Sequence, residues 1–182
     1  MKATGIVRRI DDLGRVVIPK EIRRTMRIRE GDPLEIYTDR EGEVIFKKYS
    51  PIGELNSFAA QYAETLYKTC ALSVVICDRD TVIACAGVPK RDFQDKRVSP
   101  ETEAVIESRN MYRANGTEIF PVTADSNTNY TVGCMMPIMA EGDVIGCVAN
   151  LLPSEGNRQT PTEIECKLVE TAAGFLGRQL EP

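Results

Sequence analysis

A chain of 182 residues, 42% hydrophobic and 27% charged, suits a soluble globular protein of one ordinary domain or two small ones. It has no histidine, which excludes histidine-based catalysis, and no run of about 18 apolar residues, so no membrane span is expected. The net charge of −4 conceals a basic head on an acidic body: residues 1–30 hold nine Lys/Arg against four Asp/Glu, and residues 51–182 hold eleven against eighteen, a pattern that points to a polyanion site at one end.

Met1-Lys2-Ala3-Thr4-Gly5 lacks the apolar core of a signal peptide, so the expected location is the cytoplasm and the two Asn-x-Thr sequons are idle. Residues 4–10 alternate around Ile6, Arg8 and Ile10 and predict a strand. Asp11-Asp12-Leu13-Gly14 reads as a turn, and Arg15–Ile18 as a second strand. Pro19 suits the first turn of a helix, and Ile22 and Met26 share one face of that helix, predicted over Pro19–Arg27. Arg23, Arg24 and Arg27 occupy its other sides, where guanidinium groups suit phosphate and base-edge contacts. Two further strands, Leu34–Thr38 and Val44–Lys48, flank a turn at Asp39–Glu43. Fifty residues with one helix and four short strands cannot bury much core. With neither cysteine nor histidine there, oligomerisation is the staple left.

Tyr49-Ser50-Pro51 is the expected domain boundary, giving domains 1–50 and 51–182 with almost no linker. A helix over 51–70 carries Ile52, Leu55, Ala59, Tyr62, Leu66 and Cys70 on one stripe. Strands follow at Ser73–Cys77 and Thr81–Ala86, a helix at Ser99-Pro100, a strand at Glu118–Thr123, a polar loop at Ala124–Asn129, and a hairpin of Thr131–Met139 with Val144–Leu152. Thr160-Pro161-Thr162-Glu163 reads as a capping box opening a last helix to about residue 180, with Ile164, Leu168, Ala172, Phe175, Leu176 and Leu180 as its stripe. Helices against an antiparallel sheet predict an α+β domain. Glycine in a helix needs a packing reason, so Gly174 and Gly177, with Ala173 four residues before the latter, suggest close helix approach between chains.

The stretch Thr4–Pro19, continuing through Glu21-Ile22-Arg23-Arg24 to Gly31-Asp32-Pro33-Leu34-Glu35-Ile36, resembles the N-terminal domain of the AbrB-like bacterial transcription regulators almost without gaps. Within that family it is similar to members with an added C-terminal domain that regulate sporulation genes. Pro137-Ile138, Gly142, Ile145-Gly146 and Val148 resemble the late hairpin of GAF domains. The resemblance implies an N-terminal swapped-hairpin barrel, mainly β and dimeric, and a GAF-like sensor domain. It implies double-stranded DNA, AT-rich and of loose consensus, as partner, with Arg8, Arg9, Arg15, Arg23 and Arg24 as DNA-binding residues. A small-molecule effector of the GAF-like domain and a tetramer through the C-terminal helices complete the expectation.

Two other classes compete with this reading. The same barrel serves antitoxins that neutralise a ribonuclease partner, but those carry disordered tails, whereas residues 51–182 are apolar and patterned. An enzyme is not expected. There is no Gly-x-Gly-x-x-Gly and no phosphate-cradling loop, and the acid pairs Asp78/Asp80 and Asp92/Asp95 sit in turn-like stretches. No catalytic residue, cofactor or metal site is expected: the six cysteines lack close pairing, and Cys77, Cys85, Cys134 and Cys147 in apolar runs read as small hydrophobes.

Overall fold

Pro19, at φ −57° and ψ 148°, turns the chain into helix α1 (Lys20–Met26). The helix stops because Arg27 takes a left-handed φ of 52° and the amides of Arg27 and Ile28 fold back onto the Arg24 and Arg23 carbonyls, the double closure that satisfies a helix's last acceptors. Strands β1 (Leu34–Thr38) and β2 (Val44–Lys48) pair antiparallel, from Leu34↔Lys48 to Thr38↔Val44. Between them Asp39 Oδ1 accepts the Glu41 and Glu43 amides at 3.0 and 2.8 Å, and Gly42 takes the positive φ the turn requires. The computed structural model describes residues 5–54, 56–116, 119–125, 129–155 and 160–180, and the chain divides into two units, Met1–Tyr49 and Ser50–Pro182.

In the first unit the strands expected at 4–10 and 15–18 do not form: residues 5–10 and 15–19 are irregular on either side of the Asp11–Gly14 turn. A strand needs a continuous ladder of amide–carbonyl pairs, and among the described residues no such ladder runs along these segments. No described residue of the unit is buried.

The second unit is built on a five-stranded antiparallel sheet in the order β4-β3-β7-β6-β5: β3 Val74–Asp78, β4 Val82–Ala86, β5 Tyr112–Arg113, β6 Tyr130–Ala140 and β7 Asp143–Pro153. The β6–β7 hairpin turns at Glu141-Gly142, both at positive φ. Period-two alternation sends Val74, Ile76, Cys134 and Val148 to one face and Val75, Cys77, Met135, Cys147 and Ala149 to the other. The first face is covered by α2 (Pro51–Glu54), α3 (Asn56–Cys70) and α6 (Glu163–Arg178) through Ile52, Ala59, Ala63, Leu66, Val169, Ala172 and Leu176. The second is covered by α4 (Lys90–Phe93) and α5 (Pro100–Ser108), with Phe93, Val98, Ile106 and Val122 fully buried. The free edge of β4 is screened where Val82 exchanges hydrogen bonds with the 95–96 backbone and Gln94 Nε2 donates to the Ile83 carbonyl, a protection against edge-to-edge pairing.

Ser99 caps α5 by accepting the Thr102 amide at 3.1 Å. The capping box of α6 lies two residues later than the sequence suggested: Thr162, not Thr160, is the cap, and Glu165 completes the box. The reason is that a Thr-x-x-Glu pattern also starts at Thr162, and Pro161 falls before the cap rather than after it. No strand occupies 119–123, only a bridge of Thr123 to Val98; Glu118 and residues 126–128 of the expected polar loop lie outside the described residues, as does Leu55 of the first stripe. Asp78 Oδ1 accepts the Asp80 and Thr81 amides at 2.8 and 2.6 Å, so it serves as a turn clasp.

The stripe of α6 also differs. Ala172 and Leu176 are buried as expected, but Ile164 is 74% exposed and Phe175 40%. Cys166, Val169, Ala173 and Gly177 complete the buried face. Gly177 is a glycine because any Cβ there would collide with the Met139 carbonyl of β6, so it serves close packing inside the chain and not a helix of another copy. Gly174 faces open space.

Candidate nucleic-acid interface

The five arginines singled out from the sequence all lie in the first unit, on three short elements. Arg8 and Arg9 are exposed on the irregular arm before the Asp11 turn. Arg15 follows that turn and keeps 70% of its side chain exposed. Arg23, half-buried, and Arg24, exposed, stand in the last turn of α1. A helix C-terminus favours cations, which lowers the cost of packing two guanidinium groups there. Among the described residues the side chains of Arg8, Arg9, Arg23 and Arg24 have no hydrogen-bond or ion-pair partner. A solvated, uncommitted guanidinium is the state from which phosphate or base-edge contacts form at least cost.

Two clasps hold this framework, and sequence reasoning missed both. The first is Asp32, whose side chain is only 4% exposed. Its Oδ2 accepts the Arg29 amide at 2.8 Å and lies 3.6 Å from Lys48 Nζ, which in turn donates to the Arg27 carbonyl at 3.0 Å. The end of the arginine-bearing helix is thereby tied to β2. The second is Asp11, whose Oδ1 accepts the Leu13 and Arg15 amides at 3.0 and 2.7 Å and whose Oδ2 accepts from Arg15 Nε at 2.8 Å. The Arg15 amide, then its guanidinium, hold the Asp11 carboxyl below the usual carboxylate range. The signal available in the sequence was an aspartate two and four residues before those amides, the spacing of an Asx turn.

Around these groups the surface is greasy. Among the described residues, thirteen of the seventeen exposed large apolar side chains lie between Ile6 and Tyr49, with Val7 at 88% and Ile36 at 62%. No group of three or more His, Cys, Asp or Glu that could hold a metal ion occurs among the described residues. No described helix is long and apolar enough to cross a membrane. In the second unit Cys77, Cys85, Cys134, Cys147 and Cys166 are buried and Cys70 is exposed.

Comparison with known proteins divides at the same part of the chain. Residues 54–181 match the family described as Stage V sporulation protein T C-terminal, transcription factor. Residues 7–53 match the family described as Antidote-toxin recognition MazE, bacterial antitoxin. Stage V sporulation protein T of Bacillus subtilis (strain 168) is 54% identical over 184 aligned residues, covering 100% of this chain and 99% of that protein. Transition state regulatory protein AbrB of the same organism is 65% identical over 51 residues, 28% of this chain and 52% of AbrB. Among solved structures, the GAF domain from Acinetobacter phosphoenolpyruvate-protein phosphotransferase superposes with a TM-score of 0.55 at 11% identity, covering 69% of this chain and 81% of that one. The likeness shows that the second unit has the GAF fold, and the first is of the AbrB type.

Proposed function

The chain belongs to the stage V sporulation protein T family of transcription factors, and from that premise we propose that it regulates sporulation genes by gripping double-stranded DNA through residues 1–50. The observation that carries the reading is the set of arginines 8, 9, 15, 23 and 24 on the one basic part of an acidic chain, of which Arg8, Arg9, Arg23 and Arg24 have no side-chain partner among the described residues. Arginine contacts to phosphates and groove shape suit AT-rich, deformable DNA of loose consensus. The site of action is the cytoplasm, where the chromosome is reached, and the reading assigns no catalysis to the chain.

The DNA-binding body in this reading is a homodimer. The unladdered backbone of 5–10 and 15–19 and the thirteen exposed apolar side chains both ask for a second copy, and interleaved hairpins would supply ladder and core together. A tetramer through the C-terminal helices is supported by Phe175 of α6, 40% exposed, whose ring meets those of Tyr62 and Phe58 of α3 at 5.4 and 5.9 Å. The glycine available for close approach there is Gly174. A small-molecule effector is assigned to the second unit on its fold alone.

The test is Arg23→Ala with Arg24→Ala in the full chain, titrated against an AT-rich duplex by fluorescence anisotropy. A base-edge contact costs about 1–3 kcal/mol when lost, and each lost phosphate contact lowers the log–log salt slope by about one unit. Parental affinity and slope in the double variant would sink the reading. The antitoxin reading is favoured by the match over 7–53. It is tested by whether a small toxin co-purifies with the chain, and the packed second unit stands where a disordered toxin-binding tail would be needed.

A further inference from the structure

Of the five arginines proposed to face DNA, Arg15 alone is held by a side chain among the described residues. Its Nε donates to Asp11 Oδ2 at 2.8 Å, and the carboxylate doing the holding is itself fixed, because its other oxygen accepts the Leu13 and Arg15 amides. The turn is closed further by the Gly14 amide on the Asp11 carbonyl and the Asp11 amide on the Arg15 carbonyl, each at 3.0 Å. Gly14 at φ 75° gives the turn its hand. An exposed ion pair of this kind adds little stability, so stability does not account for it. Its geometric effect is specific: engaging Nε takes up the Nε side of the guanidinium and leaves the end edge, formed by the two terminal nitrogens, as the one that can bind two acceptors at once.

We propose that Asp11 is the specificity-setting residue of this interface, a positioning group that presents the terminal edge of Arg15 to one groove geometry. The proposal rests on the reading of Arg15 as a DNA contact. Two physical effects act in the same direction. Fixing a long side chain before binding removes the ordering cost when the DNA geometry fits and withholds adaptation when it does not. The negative charge opposes DNA of every sequence equally, so affinity held by charge alone is reduced. Discrimination between DNAs therefore depends on the clasp more than affinity does.

Asp11→Asn keeps the acceptor for the Leu13 and Arg15 amides and so keeps the turn, but places a donor where Arg15 Nε needs an acceptor. Asp11→Ser, which also retains a short acceptor for the turn, is the second variant, and thermal melting of each confirms an intact fold. Full-chain protein is titrated with an AT-rich duplex taken from genomic fragments the parent retains, and with a mixed-sequence duplex of equal length. The expected result is that the ratio of the two affinities falls about five-fold or more, the lower end of what one well-held bidentate arginine discriminates. Affinity for the mixed-sequence duplex does not fall. In an Arg15→Ala background the Asn change leaves the ratio where it is. An unchanged or increased ratio in the Asn and Ser variants, with Arg15→Ala still weakening binding, overturns the proposal alone. If Arg15→Ala binds both duplexes as the parent does, the assignment of Arg15 to DNA is what fails.

Discussion

The two units solve the same problem in opposite ways. In the second, alternation along five strands delivers apolar side chains to two faces, and helices of the same chain cover both, so that Ile76, Met135, Ile138 and Leu176 are fully buried. In the first, the alternation around Ile6, Ile36 and Phe46 is as clear, yet every one of those side chains remains more than 40% exposed. Hydrophobic patterning thus specifies which face must be covered, not which chain covers it. In the proposed dimer, a core shared between two copies would place two sets of arginines on one body.

The comparison is broken most severely at the glycines of α6. Gly177→Ala drives a Cβ into the Met139 carbonyl, and the unit should lose about 1–3 kcal/mol through overpacking. Gly174→Ala, three residues earlier in open space, should instead gain up to about 1 kcal/mol from helix propensity. Urea melts followed by circular dichroism separate the two. Equal effects of the same sign would show that the second unit is not a self-sufficient core at that seam.

Those glycines also mark how far the sequence could be read. Elements with local causes were legible: the hairpin at Glu141-Gly142, the cap at Ser99 and the apolar β3 and β7 lie within a residue or two of where the pattern put them. Apart from the α6 cap, shifted by a second Thr-x-x-Glu pattern next to the first, the misplaced features depend on contacts distant in sequence. Gly177 meets a strand nearly forty positions away, and nothing near it reveals that. Ile164 and Phe175 fit a helical stripe but lie off the buried face, Ile164 in solvent and Phe175 half-covered by Phe58 and Tyr62. Alternation over 4–10 and the apolar run Arg15–Ile18 predict strands but say nothing about whether the ladder partner is in the same chain. At the candidate site the arginines were legible as charge, whereas Asp11 and Asp32 were not, because their role lies in which amides and cations they meet.

Alkaline pH offers a second way to separate the units. The hydrogen bond with Cys147, then burial, push the Cys77 thiol well up, and burial raises Cys85 and Cys134. In the unfolded chain these thiols ionise at the ordinary value, near 8.5. Each therefore stabilises the fold fully below that pH, and its contribution is lost as pH rises toward the folded value, at about 1.4 kcal/mol per pH unit per thiol. The second unit should lose denaturant resistance steeply between about pH 9 and 10.5. The first, which has no cysteine, should not share this loss. Thiol labelling at neutral pH should reach Cys70 first, the one exposed thiol, and leave affinity for DNA unchanged.

The smallest expected effect bears most directly on why the units differ. If two copies share the core of residues 1–50, unfolding of that fragment releases two chains, and each ten-fold dilution should cost about 1.4 kcal/mol of apparent stability per dimer. The melting midpoint should fall with dilution, and sedimentation should show either dimer or unfolded chain. The reason is quantitative as well as topological. Phe46 at 42% exposed, Ile36 at 62% and Val7 at 88% leave too little apolar area out of water within one chain to offset ordering of the backbone. A single chain that melted cooperatively at a midpoint independent of concentration would have to bury those side chains against its own arm. The 5–10 segment would then pair with its own β1 or β2, and the contrast between a shared core and a private one would disappear.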